Sequence, residues 1–207
     1  MLFIIGRTAS GKDTVARILR EEKGLKQVKS YTTRDRRYPK EDTHIFISRD
    51  EAEKKLREEQ IVAKTKVNKN LYFATLSQLW DNDIYIIDPN GLYGLLDHFH
   101  SIPIDILYVM SGQEERGKRA EERGHNPIRE KQIYEKRELD EDEQFSKFEK
   151  TITNPNNSFL FMLDHPEVKS CKIIHNDRSL NDLKQETLRV YDLLQENPFS
   201  AMNWTTK

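Results

Sequence analysis

The chain has 207 residues, long enough for one domain with a sizeable core. Its charged residues make up 33% and nearly cancel to a net charge of −1, which argues against nucleic acid as the main partner, because binding a phosphate backbone needs a positive surface. The single cysteine, Cys171, excludes a disulfide framework, and no run of about 18 apolar residues offers a membrane span. The chain enters a strand without the regions of a signal peptide, so a cytoplasmic location with no membrane partner is expected.

Leu2, Phe3, Ile4 and Ile5 form an apolar run that ends at Gly6 and reads as a short, fully buried strand. After Lys12 the pattern turns helical, with Val15, Ile18 and Leu19 on one face. Between them, Gly6-Arg7-Thr8-Ala9-Ser10-Gly11-Lys12 fits G-x-x-x-x-G-K, the phosphate-binding loop. Glycines let the backbone coil so that successive N–H groups face a polyphosphate. The helix N-terminus adds partial positive charge, and Lys12 adds a full one. Asp13 stands where the motif has the Ser or Thr that holds Mg²⁺, and Thr14 follows it. Either Asp13 binds the metal as a carboxylate, directly or through water, or Thr14 takes over.

Residues 27–31 read as a second strand, closing on Thr32-Thr33-Arg34-Asp35-Arg36-Arg37. Ile45-Phe46-Ile47 precedes Ser48, an N-cap for a charged helix over residues 49–59. Residues 61–67 and 71–74 pattern as a hairpin around Asn68-Lys69-Asn70. Residues 83–88 form a second core strand that ends in Asp88-Pro89-Asn90-Gly91, and residues 102–110 form another. This alternation predicts an α/β fold: a mostly parallel sheet with helices on both faces. Ligands of such sheets sit at the carboxyl ends of the strands, where Gly6, Thr32 and Asp88 are expected to fall. Asp88 reads either as a helix cap or as a ligand for metal or acceptor.

From residue 111 to 148 the chain is densely charged, with helical patterns over 113–123 and 128–145 broken at Gly124 to Pro127. With no wide apolar face, this pair reads as a solvated hairpin or as a mobile lid that carries arginines over a polyphosphate. Apolar residues 151–153 and 159–163 follow, then a strand over 172–175. Ser179 is set to cap a last helix whose face runs Leu180, Leu183, Val190 and Leu194; residues 197–207 show no pattern. His98, His100, His125, His165 and His175 show no metal-ligand spacing.

Ser30-Tyr31-Thr32-Thr33-Arg34-Asp35-Arg36-Arg37, together with the phosphate loop, resembles the guanylate kinase family, whose nucleotide-binding segment reads S-x-T-T-R-x-x-R. Asn70-Leu71-Tyr72, Asp88-Pro89-Asn90-Gly91, Arg119, Arg123-Gly124 and Lys136-Arg137 follow in the family's order, so the likeness covers most of the chain. The resemblance implies a P-loop three-layer sandwich with a core of residues 1–29, 81–110 and 149–200, an acceptor-binding segment at 30–80 and a lid at 111–148. It implies transfer of the γ-phosphoryl of ATP to a nucleoside monophosphate with Mg²⁺, in a monomer or homodimer. Gly6 through Thr14 and Arg119 would bind ATP. Ser30, Arg34, Arg37, Tyr72 and Asp88 would hold the acceptor, Asp13 and Asp88 the metal. Lys12, Arg34, Arg37, Arg123 and Arg137 would carry catalysis by neutralising charge, which suits a reaction that needs positioning more than covalent chemistry.

The departures concentrate where a guanine would be read. Ala63 and Ala74 stand in place of an acidic and a hydroxyl residue, Phe73 replaces a glycine, and His44 stands where a tyrosine would contact the phosphate. The family's R-x-G-E becomes Arg37-Tyr38-Pro39-Lys40, with Glu41 one place late. Losing two base contacts worth about 1.5–3 kcal/mol each would erase base discrimination unless Thr43, Lys64 or Thr75 replaces them. The family's asparagine beside the adenine maps to Asn154 or to Asn176. Two other expectations stay open: a kinase of a phosphorylated sugar such as ribose 1,5-bisphosphate, whose relatives share Gly-Lys-Asp in the loop, and a non-catalytic guanylate kinase-like binding module.

Overall fold

A computed structural model describes residues 1–36, 39–67, 69–100, 102–122 and 127–196. Strand β1 (Leu2–Ile5) lies inside a four-stranded sheet of order β6-β1-β7-β8, with β6 at Ile84–Ile86, β7 at Ile104–Met110 and β8 at Val168–His175. Every pairing in it is parallel. A strand covered on both faces needs apolar residues at every position, which explains the unbroken Leu-Phe-Ile-Ile run. Phe3 and Ile5 point into one core, with Leu92 and Leu95 of α4 (Pro89–Leu96), Phe145 and Phe148 of α6 (Pro127–Ile152) and Phe161 of α7 (Pro155–Asp164). Leu2 and Ile4 point into the other, against α1 (Lys12–Lys23) and α8 (Leu180–Glu196). The three layers expected from the alternation are therefore present.

A second sheet, of order β3-β2-β5-β4, holds β2 (Tyr31–Thr32), β3 (Ile45–Phe46), β4 (Ile61–Val67) and β5 (Asn70–Thr75). Helices α2 (Arg49–Glu58) and α3 (Leu76–Trp80) flank its hairpin, and Ser48 closes a capping box on α2. The strand expected over residues 27–31 is not continuous. Val28 donates to the Ile84 carbonyl at the edge of the parallel sheet, and the chain then crosses to pair at Tyr31 and Thr32 with β5. Thr32 accordingly belongs to the second sheet and not to the carboxyl edge of the first. That edge is formed by Gly6, Asp88 and the segment after Met110.

Helix α5 (Gln113–Glu121) and α6 depart from the expected loosely attached pair. Helix α6 runs on to Ile152, well past the pattern's end at 145. Phe145, Phe148 and Ile152 recur at helical spacing and are buried in the core. Its first half is tied by a separate small cluster of Tyr134, Ala120 and Ala9. Leu180 also departs, being 61% exposed while Leu183, Val190 and Leu194 are buried. Ser179 caps this helix as expected, accepting from the Asp182 amide at 3.2 Å. Among the described residues no helix is long and apolar enough to cross a membrane.

Candidate active site

The loop from Gly6 to Lys12 is shaped by backbone constraints that fix its glycines. A Cβ on Gly6 would lie 2.7 Å from the Val109 carbonyl and 2.4 Å from Ser10 Oγ. Gly11 has φ +97°, and a Cβ there would meet Asn176 Nδ2 at 2.2 Å. Ala9 takes φ +62°, the left-handed region. Within the loop the Ser10 amide donates to the Arg7 carbonyl at 3.1 Å, and Lys12 Nζ reaches the same oxygen at 3.4 Å. Asn176 Nδ2 clamps the loop by donating to the Ser10 carbonyl at 2.8 Å. Gly11 caps α1 without a side chain, so the helix start turns bare N–H groups toward the loop, which favours an anion.

Beside Gly11 lies a cavity of about 260 Å³ reached by Thr14, Arg119, Asn176, Arg178 and Leu180. This accounts for Leu180, which faces the open cavity instead of the core. Arg119 is fixed by donating to Ser111 Oγ at 3.0 Å and to the Asn176 carbonyl at 2.7 Å. Asp177 braces the same corner through the Gly112 amide and the Ser111 hydroxyl, which hold its carboxyl below the usual carboxylate range. Of the two asparagines expected near an adenine, Asn176 lines this cavity. Asn154 instead caps α7, accepting from the Asn156 amide at 3.0 Å.

On the opposite side, α6 presents acids to the loop. Arg7 is buried and forked onto Glu149 at 2.9 and 3.0 Å, with Asp142 at 3.1 Å and the Phe145 ring beneath it. The bond to Glu149, against the cost of burial, raises the Arg7 pKa. Tyr108 also donates to Glu149. Glu141 accepts from the Thr8 amide at 3.0 Å and from Thr8 Oγ1 at 2.6 Å. Arg116 pairs with Glu138. None of these partners was expected. Their signal is the spacing 138, 141, 142, 145, 149, which puts the acids on the same side of α6 as Phe145. Arg137 is half-buried, one turn after Tyr134 and one before Glu141. Arg123 lies outside the described residues.

The acceptor-segment residues gather on the second sheet. Arg34 forks onto buried Glu41 at 2.7 and 3.2 Å and lies over the Phe46 ring. Burial opposes its charge, but Glu41 and the nearby Tyr72 outweigh that and raise its pKa. Ser30 Oγ is 2.9 Å from His44 Nδ1, and the His44 ring meets Tyr72 and Phe46 edge to face. Arg37 lies outside the described residues. Asp88 caps α4, accepting from the Gly91 amide at 2.8 Å, and takes the Thr65 hydroxyl at 2.9 Å. Burial, then the charge of Glu141, pushes its pKa up against those bonds.

The positions expected to read a base are apolar and closed. Ala63, Phe73 and Ala74 are buried, with Ala63 and Ala74 in the main core. Of the suggested replacements, Thr43 bonds Glu41, Thr75 caps α3 and Lys64 is exposed. Thr65 is the hydroxyl that the fold turns toward Asp88, and the hairpin's alternation was the signal for it. Asp13 is exposed on the first turn of α1, and Thr14 is half-buried at the cavity. No cluster of three or more His, Cys, Asp or Glu among the described residues is placed to hold a metal.

No protein-family model matches the sequence, and no curated protein matches it. Solved structures do match. The guanylate kinase of Anaplasma phagocytophilum aligns with a TM-score of 0.56 at 17% identity, over 94% of this chain and 84% of that one. A sugar kinase from a Janibacter species aligns at 0.42 and 13%, over 92% and 93%. An uncharacterised protein of Eubacterium ventriosum aligns at 0.42 and 15%, over 95% and 99%. The first of these likenesses shows the fold: a parallel four-stranded sheet flanked by helices, similar to that of guanylate kinase.

Proposed function

We propose that this chain is an ATP-dependent phosphotransferase that moves the γ-phosphoryl group of ATP, with Mg²⁺, onto the phosphate of a nucleoside or deoxynucleoside monophosphate. The observation that carries the reading is the loop, with glycines required at both ends and a cavity for the rest of a nucleotide beside Gly11. An acceptor phosphate oxygen forms the new P–O bond as the bond to the ADP oxygen breaks. The chain's part is to hold two anions in line and to neutralise them.

In this reading Gly6 through Thr14 cradle the donor phosphates with Lys12 as the fixed cation, and Arg119 and Asn176 border the nucleoside. Arg7 contributes through its backbone only, because its guanidinium is committed to Glu149 and Asp142. Ser30, Arg37 and Tyr72 grip the acceptor phosphate, Arg34 adds its positive charge beside them while forked onto Glu41, and Arg123 and Arg137 come over the transferring group. Planar guanidinium groups suit this work, since each makes two parallel bonds to phosphate oxygens. Magnesium bound with phosphates needs only one or two carboxylates from the protein. Asp88 fits best: its carboxylate has no ion pair among the described residues and stands at the carboxyl end of β6, beside the loop's strand β1. Asp13, exposed beside Lys12, is the other oxygen donor. When bound, the ion would offset charge on the donor phosphates.

A second reading, a phosphorylated sugar as acceptor, is favoured by one observation: Ala63, Phe73 and Ala74, the positions expected beside a base, are apolar and buried. A site with no hydrogen bonds to a base gives up roughly 10⁴–10⁵-fold discrimination. A panel of nucleoside monophosphates, deoxynucleoside monophosphates and sugar phosphates, scored by ADP release, tests both. Turnover of a monophosphate nucleotide is the expected result. Transfer only to a sugar phosphate overturns it, and ATP binding with no transfer to any acceptor would favour the non-catalytic module.

A further inference from the structure

We propose that Glu141 is a built-in stand-in for phosphate, which occupies the loop in the absence of nucleotide and must be displaced for the donor to bind. The inference rests on the loop being the phosphate site. Its warrant is the contact itself: a carboxylate accepts from the Thr8 amide at 3.0 Å and from the Thr8 hydroxyl at 2.6 Å. An anionic acceptor on a loop N–H is the arrangement a phosphate oxygen would adopt.

The position of Glu141 is not incidental to its own side chain, because three contacts set α6 against the loop. Asp142 and Glu149 hold Arg7, and Tyr134 packs on Ala9 and Ala120. With α6 held at both points, the residue next to Asp142 is delivered to Thr8. Arg7 and Arg116 face α6 with positive charge, while Glu138, Asp142 and Glu149 share its inner side with Glu141. Asp88 is a further acid close enough to feel Glu141. A polyphosphate entering this loop meets the Glu141 carboxylate already on Thr8, so nucleotide and Glu141 are competitors and not partners. A site filled part of the time by its own anion binds ligand with an affinity reduced by the fraction left open.

The test uses the full chain and ATP in the presence of EDTA, which takes any metal role of Glu141 out of the measurement. Titration calorimetry of Glu141→Ala should give a dissociation constant about 3- to 10-fold lower than that of the unaltered protein. Glu141→Gln, which keeps an acceptor atom but loses the charge, should fall between them and serves if the alanine variant fails to fold. Hydrogen exchange without nucleotide should be faster at the Thr8 amide in Glu141→Ala. Equal or weaker ATP binding by the variants overturns the proposal while leaving the loop assignment standing. Weaker binding seen only with Mg²⁺ would make Glu141 a metal ligand and also overturns it. If neither protein binds ATP, the loop reading itself falls and takes this inference with it.

Discussion

The donor and acceptor sides of the site are held together by different means. On the donor side the shape is in the backbone: Gly6 beneath Val109, Gly11 at φ +97°, Ala9 at φ +62°, and an asparagine amide clamping a carbonyl. On the acceptor side the shape is in charged and polar side chains, with Arg34 forked on buried Glu41, Ser30 on His44 and Thr65 on Asp88. A backbone-built site tolerates loss of a functional side chain without losing form. A site built from buried charges does not, because every group removed leaves its partner unpaired in a poor solvent. Function and stability should therefore separate cleanly on one side and stay coupled on the other.

Lys12→Ala gives the largest expected effect. Turnover should fall by about 10²–10³-fold or more, the scale of losing a fixed charge at a transferring phosphate. The midpoint of thermal unfolding should hardly move, since Lys12 makes only a long contact of 3.4 Å to the Arg7 carbonyl. A variant that retains near-normal turnover would remove Lys12 from the site, and one that unfolds would break the contrast between the two sides.

Glu41→Ala tests the acceptor side. Its carboxylate is 2% exposed and takes both Arg34 nitrogens, so removing it strands a largely buried guanidinium. Breaking such a pair costs about 3–5 kcal/mol. Denaturant unfolding should show that loss, and any protein that still folds should bind acceptor more weakly while ATP binding is spared. Equal loss of both affinities would place Arg34 on the ATP side.

Arg7→Met should fall between these. It leaves Glu149 with Tyr108 alone and frees α6 from the loop, at a cost of about 2–3 kcal/mol for an uncompensated partly buried charge. The donor side would then prove less purely backbone-made than Lys12 suggests. The loss should be larger near neutral pH than in acid. The Arg7 contact is among the causes that depress the Glu149 pKa, so the stability it provides is present above the unfolded carboxylate value and fades as pH falls through the folded one.

This contrast also explains what could be read from the sequence. Strand β1, the loop and α1 were legible because backbone-built structure leaves local marks: an apolar run, two glycines at fixed spacing, a helical apolar stripe. The hairpin of β4 and β5 and the N-cap at Ser48 were legible because they too leave local marks. The acid side of α6 was not. Arg7 and Glu149 are 142 residues apart, and the helical spacing that aligns the acids with Phe145 shows only once α6 is known to run past residue 145. The 27–31 strand and Thr32 were misplaced because an apolar stretch does not say which of two sheets it joins. Leu180 fits a helical stripe by spacing, but an open cavity begins where the stripe does.

Asp88→Asn should have the smallest effect on stability and the most pointed one on mechanism. Asparagine keeps an oxygen for the Gly91 amide and caps helices about as well as aspartate, so the cap survives. The folded-state pKa of Asp88 is raised, so the proton is held more tightly in the native protein than in the unfolded chain. The stability linked to that proton is full below the unfolded carboxylate value and is lost as pH rises through the folded one. The uncharged variant escapes this loss and should match the parent in acid and equal or exceed it at neutral pH. Urea unfolding at the two pH values measures this. Turnover should fall although stability does not, because asparagine keeps the cap but supplies no negative charge for the metal that Asp88 is proposed to hold. Unchanged turnover would reduce Asp88 to a helix cap and shift the metal role to Asp13.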